Sequence, residues 1–265
     1  MSTTPEPKVF FGSLAVTPEE KKRLVHDLFD PIAADYDLAD TLLSAGLDAH
    51  WRRKAVGFLG LRPGQRILDI CGGTAGLAML AARAVSPGGR AVVYDFNLAM
   101  MTVGKRRARR LSPADKIHFV QGDAEDLGFS AGSVDAVTIG FGLRNLARPE
   151  RGLGEIHRVL KPGGKLMVLE FSVPVNPIVR GLYHCYSFKI MPVLAGLISG
   201  ASGPFRYLAK SIRLFPPPDE IVSWIRRAGF SDVAFHRLTD GIAVIYIGRK
   251  SENPGDIPSP PLEDS

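Results

Sequence analysis

Residues 66–80, RILDICGGTAGLAML, run from an apolar segment through a glycine-rich turn into strong helix formers. Ile67, Leu68 and Ile70 predict a short buried strand with Asp69 as its lone charge, and residues 77–84 predict a helix. Gly72, Gly73 and Gly76 let the main chain turn sharply and admit a ligand close to the backbone. Strand, turn and helix in that order place a nucleotide-like ligand at a helix N-terminus. The full dinucleotide fingerprint would need glycine where Thr74 stands, so the motif is a looser G-G-T-x-G turn.

The rest of the chain supplies the partners this turn needs. A second strand over residues 90–94 ends at Asp95, about 20 residues beyond the turn, where a βαβ nucleotide site places a carboxylate for ribose hydroxyls. A helix with Met100, Met101 and a basic run from Lys105 to Arg110 follows, and the run reads as a solvated face. Residues 116–121 predict a third strand, leading to Asp123-Ala124-Glu125-Asp126, carboxylates suited to an adenine amino group. Residues 134–139 predict a fourth strand that delivers Gly140-Phe141-Gly142-Leu143-Arg144-Asn145 to the same edge. With a helix over 149–159 and a fifth strand over 165–170, the β-α alternation predicts a doubly wound, mostly parallel sheet. An amphipathic helix over 219–228 and a strand pair over 233–238 and 242–247 close the domain.

Three segments flank or interrupt this alternation. Residues 1–16 read as a mobile arm, and the proline-rich tail 251–265 as disordered. Thr17-Pro18-Glu19-Glu20 opens a helix with a capping box, expected to run to about residue 34 with a break at Pro31. Residues 17–60 form an N-terminal helical layer with two readings, packing on the core or a lid over the ligand. Residues 172–218 break the alternation, with an apolar run around 190–198 too short to span a bilayer. They read either as helices on the core or as an apolar cover for a lipid-like substrate at a membrane surface.

Composition narrows the function classes. The 265 residues, 45% of them hydrophobic, suffice for one catalytic domain with a small lid. A net charge of +6 suits an anionic surface or substrate without specifying nucleic acid. Cys71 and Cys185 are the only cysteines, and the six histidines show no metal-ligand spacing, so neither a disulfide framework nor a metal site is expected. The first residues lack a basic flank ahead of an apolar core, so the expectation is a cytoplasmic protein.

An acid before a G-G-T turn, another ending the second strand, and a closing hairpin resemble the class I S-adenosylmethionine-dependent methyltransferases. Within that class the chain resembles the ubiquinone/menaquinone biosynthesis C-methyltransferase family. The resemblance rests on residues 29–51, Asp95-Phe96-Asn97, Phe141-Gly142-Leu143-Arg144-Asn145 and RVLKPGGKLMVLEFS over 158–172. It implies C-methylation of a prenylated quinol, with S-adenosylmethionine held by Asp69, Gly72, Gly73, Thr74, Asp95, Phe96, Asp123, Ala124 and Gly140. Arg144, Asn145 and Tyr36 are the implied catalytic groups, with His184 as a further candidate base. It also implies peripheral contact with the inner face of a membrane, and a homodimer or a quinone-biosynthesis complex, without nucleic acid. The chain departs from the family pattern at Asp40, Asp48, Ala75, Gly76 and Gly140. Those departures keep open a methyltransferase of another lipid or small aromatic. A nucleic-acid methyltransferase, suggested by the basic run, and a non-catalytic cofactor-binding protein compete with both.

Overall fold

A computed structural model describes residues 8–110, 116–191, 193 and 203–252. Strands β1 (Val9–Phe11) and β2 (Leu14–Val16) pair antiparallel, with Val9 opposite Val16. Residues 9–16 are therefore a hairpin, which corrects the expectation of a mobile arm there; residues 1–7 lie outside the described residues. Gly12 turns the hairpin at φ +57°, and the Phe11 ring stacks on Tyr207 with centroids 4.3 Å apart, which ties it to the body.

The capping box forms as read, with Thr17 N donating to Glu20 Oε2 at 2.9 Å and Glu20 N donating to Thr17 Oγ1 at 3.2 Å. Helix α1 (Pro18–Phe29) stops just before Pro31, whose ring cannot follow a continuing turn. Helices α2 (Tyr36–Leu43) and α3 (Asp48–Leu59) complete the N-terminal layer, and Gly60 ends α3 in the left-handed conformation. Trp51 of α3 is fully buried against Phe171, and its indole N–H donates to Thr239 Oγ1 at 3.0 Å.

The sheet is built by β3 (Arg66–Ile70), α4 (Gly76–Ala84), β4 (Arg90–Asp95), α5 (Leu98–Ala108), β5 (Ile117–Gln121), β6 (Val134–Gly140), α6 (Pro149–Val159) and β7 (Leu160–Phe171). After it come α7 (Pro177–Cys185), a π-helical turn over Tyr186–Ile190, α8 (Gly203–Leu214), α9 (Pro218–Arg227), β8 (Phe230–Leu238) and β9 (Ala243–Lys250). Strand order is β5-β4-β3-β6-β7-β9-β8, parallel throughout β5 to β7, with β9 antiparallel to both its neighbours. The sequence expectation of a doubly wound sheet with a closing strand pair holds.

Side chains alternate across the strands. Ile67, Ala91 and Val93 face α3 and α4, while Leu68, Ile70 and Val137 face α6 and α9, giving two apolar layers. Strand order reverses at β3, whose neighbours β4 and β6 continue in opposite directions, and a ligand crevice opens at the carboxyl ends of such strands. Part of the apolar run expected at 190–198 lies outside the described residues.

Candidate active site

A cleft lies over that crossover, lined by the 71–74 turn, Asp95 to Asn97, Met100, Gly140 to Gly142 and Asn145, and roofed by Val25, Phe29, Tyr36 and Arg52 of the helical layer. The same layer also packs on the core through Val25, Phe29, Trp51 and Leu59. At Gly72 a Cβ would meet Asp69 O at 2.8 Å and Val93 Cγ1 at 2.9 Å, so the turn has room only for glycine. Gly73, at φ +46°, adopts a conformation that strains other residues.

Asp95 fixes this turn from β4. Its Oδ2 accepts from Gly73 N at 2.9 Å and its Oδ1 from Asn97 N at 2.8 Å. Burial pushes its carboxyl up to about 6, against the lowering effect of those N–H groups. Beyond it, Phe96, Asp123 and Ala124 line a second, contiguous lobe that shares Val25, Cys71, Phe96 and Asn145 with the first. Lys22 of α1 donates to Asp123 Oδ2 at 2.7 Å and lies 3.1 Å from Glu125 Oε2. Although burial opposes it, that ammonium helps hold the Asp123 carboxyl below its ordinary value.

Two expected cofactor residues are placed otherwise. Asp69 is buried beneath the turn, does not line the cleft, and accepts from Ala78 N at 2.9 Å and Thr138 Oγ1 at 2.6 Å. It joins the first turn of α4 to β6 and lies beneath the lining of the cleft. Thr74 lines the cleft, but its hydroxyl donates to Asp37 Oδ1 of α2 at 2.7 Å, which leaves its main chain for a ligand. At Gly140 a Cβ would meet Leu77 Cδ1 at 2.6 Å, so the departure at this position is coupled to packing of α4.

The loop after β6 carries the expected chemistry. Arg144 is 4% exposed, and its Nη1 donates to Glu170 Oε1 at the end of β7 and to Phe141 O, each at 2.5 Å. Its Nε and Nη2 are buried without a hydrogen-bond partner. Burial disfavours its charge, but Glu170 and Tyr36 outweigh that and hold its pKa above the ordinary value. Arg144 stands behind the cleft wall, whereas Asn145 and Tyr36 line the cleft. Asn145 Oδ1 accepts from Tyr207 Oη at 3.2 Å. Burial and Asp40 drive the Tyr36 phenol well above its usual range despite the opposing guanidinium groups of Arg144 and Arg52, so it stays in the protonated form that can donate a hydrogen bond. His184 is exposed beside Arg213 and does not line the cleft, which removes it as a base there.

The fold therefore gathers Tyr36, Thr74, Asp95, Phe96, Asp123, Ala124, Gly140 and Asn145 around two joined lobes. Sequence reading missed Glu170, Arg52 and Tyr207 as site residues. An acid at the end of a buried strand was the available signal for Glu170; nothing local marked the others.

With this geometry in hand, the sequence pattern of the ubiE/COQ5 methyltransferase family matches residues 16–250. The chain belongs to that family. It is 42% identical over 245 residues to the ubiquinone/menaquinone biosynthesis C-methyltransferase UbiE of Pseudomonas savastanoi pv. phaseolicola, covering 92% of this chain and 96% of the relative. It is 40% identical over 240 residues to the protein of the same name from Haemophilus ducreyi, covering 91% and 93%. A crystal structure of an S-adenosylmethionine-dependent methyltransferase from Aquifex aeolicus shares the fold, with a TM-score of 0.55, 15% identity and coverage of 88% of this chain and 98% of that one.

The chain is thus a member of a methyltransferase family, and S-adenosylmethionine is the methyl donor its sequence leads one to expect. The residues fit that donor. At Gly72 the turn has no room for a side chain, a carboxylate stands at the end of β4, and Phe96, Ala124 and Leu146 give the second lobe an apolar wall that suits a flat adenine ring.

Proposed function

We propose that the protein transfers a methyl group from S-adenosylmethionine to a ring carbon of a prenylated quinol in the synthesis of menaquinone, ubiquinone or both. The observation that carries this reading is the buried Arg144, held by Glu170 with two nitrogens unpartnered, beside the protonated Tyr36 phenol and the cleft-lining Asn145.

When bound, the cofactor supplies a sulfonium methyl that is already electrophilic. Asp95 holds the ribose hydroxyls, and the main chain of Gly72 to Thr74 with Gly140 cradles the methionyl end. Asp123 and Ala124 face the adenine. These contacts orient the donor, and holding two reactants in line removes much of the entropic barrier. The acceptor carbon becomes nucleophilic when a quinol hydroxyl ionises, and a free phenol does so only near a pKa of about 10. Tyr36 and Asn145 donate hydrogen bonds to the developing phenolate, and the Arg144 charge behind them lowers its energy. Arg144 does not act as base, because guanidinium keeps its proton throughout the working range. The ring carbon would bond to the methyl while the electron pair of the breaking carbon–sulfur bond stays on sulfur as a neutral thioether, and the ring hydrogen would leave as a proton to water.

The proposal extends to peripheral contact with the membrane that holds the substrate. Ile178 and Leu182, one helical turn apart on α7, are 74% and 68% exposed, and Ile190 and Val193 continue the apolar surface. Among the described residues no helix is long and apolar enough to cross a membrane. Self-association, or assembly with other enzymes of quinone synthesis, belongs to the same proposal and is read by sedimentation of the purified protein.

Mass analysis of quinones from a deletion strain tests the substrate. The reading predicts accumulation of quinone lacking one ring methyl; a normal quinone pool with another lipid or aromatic undermethylated would replace the quinol with that acceptor.

A further inference from the structure

Among the described residues, Arg52 is the only cationic side chain that lines the first lobe of the cleft; Lys22 lines the second, paired with Asp123. Arg52 projects from α3 to the far end of the crevice from the Phe96 and Asp123 lobe, and its Cζ lies 5.4 Å from the centroid of the Phe141 ring beyond β6. The order of the strand ends, Asp123 after β5, Asp95 on β4, the glycine turn after β3 and Phe141 after β6, runs from the adenine side through the ribose to the methionyl side. Arg52 therefore stands where the amino-acid end of the cofactor must go.

The guanidinium is built in. Its Nη2 pairs with the Asp40 carboxylate, which is 1% exposed. Its Nε is buried with no hydrogen-bond partner, since the Asp48 Oδ2 beside it is 3.8 Å away, beyond hydrogen-bond reach. Its Nη1 lies against Gly76, where a Cβ would run into it. Gly76 opens the first turn of α4, next to the 71–74 turn. Three departures from the family pattern, at Asp40, Asp48 and Gly76, thus surround one side chain. The acids anchor it and the glycine makes room for it.

We propose that Arg52 binds the α-carboxylate of S-adenosylmethionine, with Asp40 as the group that positions its guanidinium. A carboxylate entering the first lobe, whose only lining acid is Asp95, needs a cation, and a planar guanidinium anchored on one nitrogen keeps its other N–H groups free to receive it.

Titration calorimetry on the full-length protein separates this from a structural role, using S-adenosylhomocysteine and 5′-methylthioadenosine, which keeps the adenosine and thioether but lacks the amino-acid carboxylate. Arg52→Met lowers affinity for S-adenosylhomocysteine on the order of ten- to a hundredfold, as for loss of a charge-assisted hydrogen bond, and leaves 5′-methylthioadenosine unchanged. Equal losses for both ligands, or no loss for S-adenosylhomocysteine, overturn the proposal. Should Arg52→Met fail to fold, Arg52→Lys is read by the same ratio of affinities, which must fall; an unchanged ratio is equally decisive against it. Binding of 5′-methylthioadenosine to the unaltered protein reads the adenosine site separately, so a failure of the cofactor assignment is distinguishable from a failure at Arg52.

Discussion

On the proposed reading Asp95 serves the cofactor and Arg144 the acceptor, and each makes a separate prediction. Burial raises the Asp95 carboxyl to about 6, and ribose hydroxyls need its ionised form as acceptor. Cofactor affinity is accordingly expected to fall as pH drops through about 6, and Asp95→Asn to weaken binding while removing that pH dependence, both read by calorimetry across pH. Arg144→Met is expected to abolish methyl transfer with cofactor affinity nearly intact, since Arg144 does not line the cleft; a large loss of cofactor binding would refute its role. Removing its partner has a different consequence. Glu170→Gln leaves a buried guanidinium unpaired and is expected to cost about 3 to 5 kcal/mol of stability, measured by denaturant unfolding. Asp95 and Asp123 were legible in the sequence because their spacing from the glycine turn follows the βαβ repeat. Glu170 and Arg52 were not, because the Glu170–Arg144 and Arg52–Asp40 pairs form only once the sheet and the helical layer bring their members together, and the bond from Asp69 to the first turn of α4 has no local mark in the sequence either.

Among the elements, the N-terminal helices carry the least legible part of the site. Their capping box marked where α1 begins; the helix expected to reach about residue 34 with a break at Pro31 ends instead at Phe29, with turns over 31–35, and neither signal showed what it touches. Lys21 of α1 is buried and donates to Leu146 O at 2.7 Å and Arg144 O at 3.3 Å, clamping the main chain of the β6 loop. Burial lowers its pKa to about 8, even with Glu125 nearby. Lys21→Met is expected to leave those carbonyls unsatisfied, lower stability by about 1 to 3 kcal/mol and slow methyl transfer more than it weakens cofactor binding. Unfolding curves and single-turnover rates together check this; a variant as active and as stable as the parent would show that α1 does not hold the loop. The hairpin of β1 and β2 escaped the sequence reading because its strands are short and Phe11 is held by Tyr207, far along the chain. Strands β3 to β7 were legible because a parallel sheet covered on both faces demands continuous apolar runs between glycine turns.

On the proposed reading the molecule joins a cofactor crevice, set by the sheet, to an acceptor side drawn from the helical layer, the β6 loop and the described part of the segment after β7. Its class follows from the sheet, while its acceptor is a property of the parts added to it. If the exposed face of α7 meets lipid, Ile178→Asp with Leu182→Asp is expected to reduce flotation with anionic vesicles without changing cofactor affinity; unchanged flotation would move the contact elsewhere. The central claim is tested most directly by purified protein, methyl-labelled S-adenosylmethionine and demethylated benzoquinol and naphthoquinol acceptors side by side. The account predicts label on a ring carbon of at least one quinol; label on oxygen alone, or on neither quinol, would contradict it.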